Sequence, residues 1–204
     1  MKKLTRLALA AAAALCAAAA HADVYQFNAQ LTAAQEVPPT ASNAHGLATL
    51  FYDNHGTASN LDDTFSFSMS VFDLTGPAVA LHIHGAAAPG QNAPPRVDLG
   101  MAPFVVFNTG STLLVGGDAV PVPLVPDTPV SPTNPGYPAM TFFDMLNGGL
   151  AYVNVHTPTY PGGEVRGQFV AVAAAVPEPS TYALMAAGLG ALGWAARKRR
   201  SAKR

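Results

Sequence analysis

The chain has 204 residues, and its formal net charge of −1 conceals an uneven distribution of charge. Nine of the eleven basic residues lie in the first six and last eight positions, whereas residues 23–176 carry eleven acidic residues, two arginines and no lysine, a net charge of −9. So acidic a segment repels phosphate backbones and anionic membrane surfaces. The composition therefore excludes nucleic acid as a partner and favours divalent cations.

The first 22 residues have the pattern of a signal peptide. Basic residues at positions 2, 3 and 6 precede an apolar run, and Ala20-His21-Ala22 provides the small residues of a cleavage site before Asp23. The sequence predicts an N-terminal signal helix over 1–22 and export of the remainder. The single cysteine, Cys16, lies within this segment and follows Leu15, which argues against a lipoprotein. The exported protein thus has no disulfide and no thiol chemistry.

Residues 23–176 are long enough for one domain, and their pattern predicts an all-β fold. Apolar and polar residues alternate in the segments 25–31, 46–52, 65–71, 79–83, 151–156 and 165–171. Turn residues separate these segments, and only residues 142–150 suggest a short helical turn. Six or more short strands predict an immunoglobulin-like β-sandwich or a small barrel.

Residues 121–138 break this pattern because they contain seven prolines in eighteen residues. Six of the prolines, from Pro123 to Pro138, recur at every third position. A polyproline II helix has three residues per turn, so the spacing predicts a stiff strap with the rings along one edge. A rigid surface loop is the favoured interpretation, and a ligand for an aromatic groove is the alternative.

Two predicted strands place polar side chains on one face of the sheet. Alternation turns His82 and His84 away from the core face that Leu81 and Ile83 occupy. It likewise places Asn154 and His156 together on one face of the segment 151–156.

The segment that follows returns antiparallel after a short link and adds Glu164, Arg166 and Gln168 on one face. If the three segments are adjacent, all seven polar side chains converge. The expected role of Arg166 is to pair with Glu164 or another carboxylate.

Two interpretations of this cluster remain open. Two histidines on one strand and a third at a distance suit zinc or copper, so His82, His84 and His156 are candidate metal ligands. Alternatively, the same residues form a hydrogen-bonded polar cluster that satisfies a partly covered face, with Glu164 and Arg166 as partners of the histidines.

The C-terminal segment 177–204 has three parts in order. Pro177, Glu178 and Pro179 lead into an apolar stretch over 181–196, and a basic cluster over 197–204 follows. Sixteen residues of helix span about 24 Å, slightly less than a bilayer core of about 30 Å. The sequence predicts a transmembrane helix with the basic cluster in the cytoplasm and residues 23–176 outside.

This tail resembles the PEP-CTERM protein-sorting tail of Gram-negative bacteria. The resemblance implies recognition near Pro177, Glu178 and Pro179 by an exosortase-type membrane enzyme. It further implies a transient inner-membrane anchor, removal of the helix, and release to the cell surface or an exopolysaccharide matrix. A permanent single-span anchor is the alternative.

Three further motifs closely resemble the signatures of the CHRD domain, in the correct order. They are Ala-Gln-Glu-Val-Pro-Pro at 34–39, Leu-His-Ile-His-Gly at 81–85, and the segment 152–168 with Glu-Val-Arg-Gly-Gln at its end. The resemblance implies an immunoglobulin-like β architecture and no established enzymatic activity. Leu81, Ala86 and the insertion at 121–138 depart from the usual pattern.

Two classes of function follow from the sequence. The first is a non-catalytic surface or matrix module, with cations or matrix polymers as partners, and the second is a copper- or zinc-binding redox protein. Hydrolase, zincin and nucleotide-binding motifs are absent from the sequence. Glu36 is expected to position the chain before the second strand, and Asp62-Asp63 is expected to lie in a solvated turn.

Overall fold

The computed structural model describes residues 24–173 and the single position 189. The predicted signal peptide, the Pro177-Glu178-Pro179 signal and, apart from position 189, the predicted transmembrane helix over 181–196 lie outside the described residues. In the part of the chain that is described, no helix is both long enough and apolar enough to cross a membrane. The described residues up to Val172 belong to one compact unit.

This unit is built almost entirely from β-strands. The strands are β1 (Val24–Thr32), β2 (His45–Asp53), β3 (Thr64–Phe72), β4 (Ala80–His84), β5 (Pro95–Asp98), β6 (Val105–Asn108), β7 (Leu113–Pro121), β8 (Tyr152–His156), β9 (Val165–Gln168) and β10 (Val170–Ala171). A 3-10 turn (Ala33–Gln35) follows β1, and a short helix, α1 (Phe142–Asn147), precedes β8. The predicted all-β fold is confirmed.

The strands form one curled sheet, a half-barrel, instead of the two facing sheets of a sandwich. Their order is β5-β4-β8-β9-β1-β2-β3-β7-β6, and β10 pairs with β1 beside this path. The pairings are antiparallel. Because strands twist, a long sheet curls and brings the apolar faces of its distant strands together. One sheet can thereby enclose the core that a sandwich would divide between two.

The meander of β1, β2 and β3 shows how alternation builds this core. The three strands pair without interruption, with Thr32 opposite His45 and His45 opposite Phe72. Every second residue of β3 faces inward, and these residues, Phe65, Phe67, Met69 and Val71, are at most 3 % exposed. The alternation of the sequence thus predicted these strands and their buried faces correctly.

Helix α1 closes part of the core. The Thr141 hydroxyl accepts a hydrogen bond from the Asp144 N–H at 3.0 Å and so caps the first turn. The buried residues of the helix, Phe142, Met145 and Leu146, belong to the same apolar cluster as the sheet. The predicted helical turn is confirmed in type and starting point, and it ends at Asn147.

The proline-rich insertion does not form a straight strap. Residues 125–140, the proline hairpin, fold back so that Val125 faces Met140, Thr128 faces Tyr137 and Ser131 faces Asn134. The bridges recur every three residues. Each pair of positions between them contains one proline, and proline has no N–H to donate. The three-residue period is therefore real, but it spaces bridges between two arms.

The proline hairpin also braces the loop that follows β4. The Asn134 side chain donates hydrogen bonds to the carbonyls of Ala86 and Asn92, both at 2.9 Å. The Thr128 hydroxyl accepts from the Ala86 N–H at 2.9 Å and from Arg96 at 2.8 Å. Asn134 and Thr128 are at most 4 % exposed, so the hairpin is an integral part of the fold.

Candidate metal centre

Two neighbouring strands position the three histidines. β4 carries His82 and His84 and pairs with β8, which carries His156. In this register His82 lies opposite Asn154, and His84 lies opposite Tyr152. The alternate residues of both strands, Leu81, Ile83, Val153 and Val155, are at most 4 % exposed and belong to the core. The histidines therefore share the other face of the sheet.

The structure brings these three side chains into one group, the His triad (His82, His84 and His156). The ring centroids are 5.3 Å apart for His82 and His84, 5.6 Å for His82 and His156, and 6.1 Å for His84 and His156. One nitrogen from each ring lies within 4.8 Å of the other two. A single ion of ordinary size can contact three nitrogens at this spacing with only small movements of the side chains.

One nitrogen of each triad ring is buried and has no hydrogen-bond partner. These buried atoms are His82 Nδ1, His84 Nε2 and His156 Nε2. The other ring nitrogen of His84, Nδ1, lies 2.8 Å from the Ala93 carbonyl, and His156 Nδ1 lies 3.0 Å from the Pro161 carbonyl. Because a carbonyl only accepts, both Nδ1 atoms carry the proton, and both Nε2 atoms keep a free lone pair.

Burial also keeps these two imidazoles neutral. It lowers the pKa of His84 to about 4, against an opposing effect of the hydrogen bond to Ala93. Burial likewise lowers the pKa of His156. A metal competes with protons for a histidine nitrogen, so neutral rings with one fixed N–H are the form that binds a metal.

Tyr152 supports the triad from one side. The His84 ring stacks on the Tyr152 ring with centroids 4.8 Å apart and planes at 5°. From β9, Arg166 places its guanidinium carbon 3.5 Å from the centre of the same ring. The Tyr152 hydroxyl donates to the Ala93 carbonyl that also accepts from His84. The loop carbonyl and the phenol together fix the orientation of His84.

Arg166 does not form the predicted ion pair with Glu164. Its guanidinium donates to the Gln91 carbonyl at 2.8 Å, to Asn92 Oδ1 at 3.2 Å and to Gln168 Oε1 at 3.3 Å. Gln168 in turn donates to two loop carbonyls. These side chains tie the loop after β4 to β9, and their hydrogen bonds do not reach the histidines.

Glu164 lies in a separate polar group, the Glu164 cluster (Ser42, Thr75, Thr157 and Glu164). Its carboxylate accepts from the Ser42 hydroxyl at 2.6 Å, the Thr75 N–H at 2.9 Å, the Thr75 hydroxyl at 2.8 Å and the Thr157 hydroxyl at 2.5 Å. Burial would raise the pKa of this carboxyl, but the hydrogen bonds hold it below its ordinary value. The predicted partnership between Glu164 and the histidines is replaced by these hydroxyl and N–H donors.

Glu36 is the site residue that sequence reasoning missed. Its side chain is 5 % exposed, and Asn154 Nδ2 lies 3.5 Å from Oε2, while Glu36 Oε1 and Asn154 Oδ1 have no partner. Burial raises the pKa of Glu36 to about 7, although Arg166 opposes this change. Gly163, at φ +128°, admits the carboxyl, since a Cβ there would lie 2.7 Å from both oxygens. A lone acid in the otherwise uncharged motif 34–39 was the available signal.

Four other titratable residues, two histidines and two aspartates, lie outside the His triad. His45 and His55 are exposed, each within 4 Å of a neighbouring aspartate, so neither belongs to the triad. Asp62 lies in the expected solvated turn, but Asp63 is only 4 % exposed and accepts a hydrogen bond from Tyr52. The prediction of a solvated turn was therefore wrong for Asp63.

Comparison with known proteins gives two matches to family models. The CHRD domain matches residues 27–169, which include every strand from β2 to β9 and both strands of the triad. The PEP-CTERM protein-sorting motif matches residues 175–200. This motif implies processing by an exosortase-type enzyme and export to the cell envelope or surface. No curated protein and no solved structure matches the chain.

Proposed function

Because the chain belongs to the CHRD domain family and carries a PEP-CTERM sorting motif, we propose that it is an exported surface or matrix protein whose domain binds a transition-metal ion at the His triad. The role is binding and not catalysis. The observation that supports it is the convergence of three imidazoles that each offer a nitrogen within 4.8 Å of the other two and that each hold a buried nitrogen without a hydrogen-bond partner.

The missing hydrogen bonds favour a metal over a structural polar cluster. A buried polar atom without a partner costs about 1–3 kcal/mol, and such atoms are few in native proteins. Here one such atom belongs to each ring of the triad, and no donor among the described side chains reaches them. One metal ion would satisfy all three at once.

The donor set favours zinc or copper. Imidazole nitrogen suits both ions, whereas calcium and magnesium prefer oxygen ligands. No thiolate competes, since Cys16 lies in the predicted signal peptide. Among the described residues the group contains three histidines and no fourth candidate ligand, so one coordination position would be left to water or a small ligand.

The direct test is metal content. The purified protein, loaded with zinc or copper and desalted, is expected to retain one equivalent, and a copper-loaded sample should give the electron paramagnetic resonance signal of nitrogen-ligated Cu²⁺. His82→Ala, His84→Ala and His156→Ala should each lose the ion. His45→Ala and His55→Ala are matched controls on exposed histidines and should keep it. Retention by the triad variants would refute the proposal.

The fate of the two termini completes the proposal. We expect removal of residues 1–22 on export and cleavage near Pro177, Glu178 and Pro179 by an exosortase-type enzyme in the inner membrane of a Gram-negative bacterium. The protein would then reach the surface or an exopolysaccharide matrix. Intact mass of the surface-extracted protein tests this step. A mass that still includes Trp194 and the basic cluster over 197–204 would indicate a permanent anchor instead.

A further inference from the structure

A second site, unrelated to the triad, is a cavity where β1 begins and β2 ends. Its volume is about 410 Å³, and it lies between the loop over 54–63 and helix α1. Aromatic rings, carboxylates and small polar side chains line it, including Tyr25, Tyr52, Asp63, Phe143 and Asp144. A volume of this size accommodates one or two sugar rings or a molecule of similar dimensions.

Three aromatic rings form one wall of the cavity. The Tyr25 and Phe143 rings meet edge to face at 4.7 Å, and Phe143 lies 5.1 Å from the Tyr52 ring. Tyr25 is 36 % exposed, while Tyr52 is 2 % exposed. The outer ring is therefore fixed by its neighbours and still accessible, as a platform for the apolar face of a ligand must be.

A buried carboxylate oxygen marks the polar side of the same cavity. Asp63 is 4 % exposed, and its Oδ2 accepts the hydroxyl of Tyr52. Its Oδ1 is buried and has no hydrogen-bond partner. Asp144 stands at the rim, where its Oδ2 accepts the Thr141 hydroxyl at 2.7 Å. Asp63 therefore lines the cavity with one carboxylate oxygen unsatisfied, and Asp144 adds a second carboxylate at the rim.

The charges restrict the ligand further. The residues that line the cavity include two aspartates and no lysine, arginine or histidine. An anionic ligand would meet like charge without compensation. A neutral ligand with several hydroxyl donors and an apolar face fits both walls, because hydroxyls can donate to Asp63 while C–H groups pack on Tyr25.

From this combination the geometry points to a binding site for a neutral sugar, either free or as a unit of a polysaccharide. Its hydroxyls donate to the carboxylates that line the cavity, Asp63 and Asp144, and one ring face packs against Tyr25. The site stands apart from the proposed metal function and does not depend on it.

Calorimetric titration of the full-length protein, purified without sugar-based detergents, tests this assignment. The probes are monosaccharides and tetrasaccharides of glucose, mannose and galactose, a tetrasaccharide of galacturonic acid, and calcium chloride alone. We expect binding of at least one neutral sugar and none of the acidic tetrasaccharide. Tighter binding of the tetrasaccharide than of its monosaccharide would identify a polysaccharide chain as the source.

Variants locate the binding. Tyr25→Ala should weaken it at least about tenfold, and Tyr25→Phe should leave it nearly unchanged because the ring face remains. Phe72→Ala is the matched control, since Phe72 is 43 % exposed on β3 and does not line the cavity. Asp63→Asn should also weaken binding, and Tyr25→Ala keeps the test valid if Asp63→Asn does not fold.

Several outcomes would overturn the assignment. They are no binding of any neutral sugar, equal weakening by Phe72→Ala, or binding of the acidic tetrasaccharide as tight as that of the neutral ones. If calcium bound, Asp63→Asn abolished that binding and no sugar bound, the cavity would be a cation site instead.

Discussion

The Glu164 cluster and the His triad share the β8–β9 hairpin through Glu164 and His156, yet they differ in how their polar atoms are satisfied. Glu164 accepts four hydrogen bonds from three residues, while each triad ring holds one buried nitrogen that has no partner. A satisfied buried group stabilises a fold without any ligand. An unsatisfied one has retained its capacity to bind, so the contrast separates a structural device from a candidate site.

The largest expected effect is on the Glu164 cluster. Glu164→Ala should lower the free energy of unfolding by about 3–5 kcal/mol, because it removes a buried carboxylate and leaves the donors of Ser42, Thr75 and Thr157 unpaired. Urea denaturation measures this loss, which should be equal with and without chelator. Glu164→Gln keeps the shape and one acceptor, so it should lose less. A loss that disappears in chelator would assign Glu164 to the metal site.

The triad should respond to metal with an effect of similar size. Zinc at about 100 to 1,000 times its dissociation constant should stabilise the wild type by about 2.7–4.1 kcal/mol, since it binds only the folded state. Thermal melts with zinc and with chelator measure the difference. His84→Ala should show no difference between the two conditions, whereas His55→Ala should behave as the wild type. If the wild type melted at the same temperature with zinc and with chelator, the triad would not be a metal site, and its unsatisfied nitrogens would not distinguish it from the Glu164 cluster.

Glu36 offers a smaller, pH-dependent comparison with Glu164. Burial raises its pKa to about 7, with Arg166 opposing and the Tyr152 phenol nearby, so the folded state favours the neutral acid. Its contribution to stability is complete below pH of about 4.5 and is lost as the pH rises through about 7. Relative to Glu36→Gln, the wild type should lose up to about 3 kcal/mol across this range, since each pKa unit is worth about 1.4 kcal/mol.

Urea denaturation of both proteins at a series of pH values measures this difference. A constant gap between wild type and Glu36→Gln from pH 4 to 8 would show that Glu36 titrates normally in the folded protein. If the wild type instead gained stability relative to Glu36→Gln as the pH rises, Glu36 would resemble Glu164, a carboxylate that hydrogen bonds keep ionised.

The smallest effect should come from His82→Ala in the presence of chelator. The side chain of His82 makes no hydrogen bond in the described structure, and its buried Nδ1 is unsatisfied. We expect a change of less than about 1 kcal/mol, because the substitution removes an unsatisfied atom together with some ring contacts. A chelator-independent loss comparable with that of Glu164→Ala would show that the triad supports the fold by itself.

Alternation along the chain was sufficient to predict the strands that carry the triad. β1, β2, β3, β4 and β8 match their predicted segments closely because each presents one apolar face to the core. β5, β6 and β7 escaped prediction. The first two have only four residues each, and β7 contains Gly116-Gly117 opposite a register shift in β3, so no clear period of two appears.

The site was predictable only where it depended on one strand at a time. Glu164 was placed with the histidines because the alternation was extended backward, but β9 begins at Val165 and Gly163 turns the chain just before it. Glu36 contacts Asn154, 118 residues away, and no local pattern specifies such a pairing. The single curled sheet likewise depends on the summed twist of many strands, which alternation does not encode.

The three-residue spacing of bridges in the proline hairpin has a consequence for how this insertion can change length. Ser131 and Asn134 form the bridge nearest the tip, while Thr128 and Asn134 hold the loop after β4. Three residues added to each arm beyond Ser131 would add one bridge and leave every existing pairing in place. One or two residues inserted within an arm would instead shift its bridging residues out of register, so an arm can change length without losing a bridge only in whole triplets.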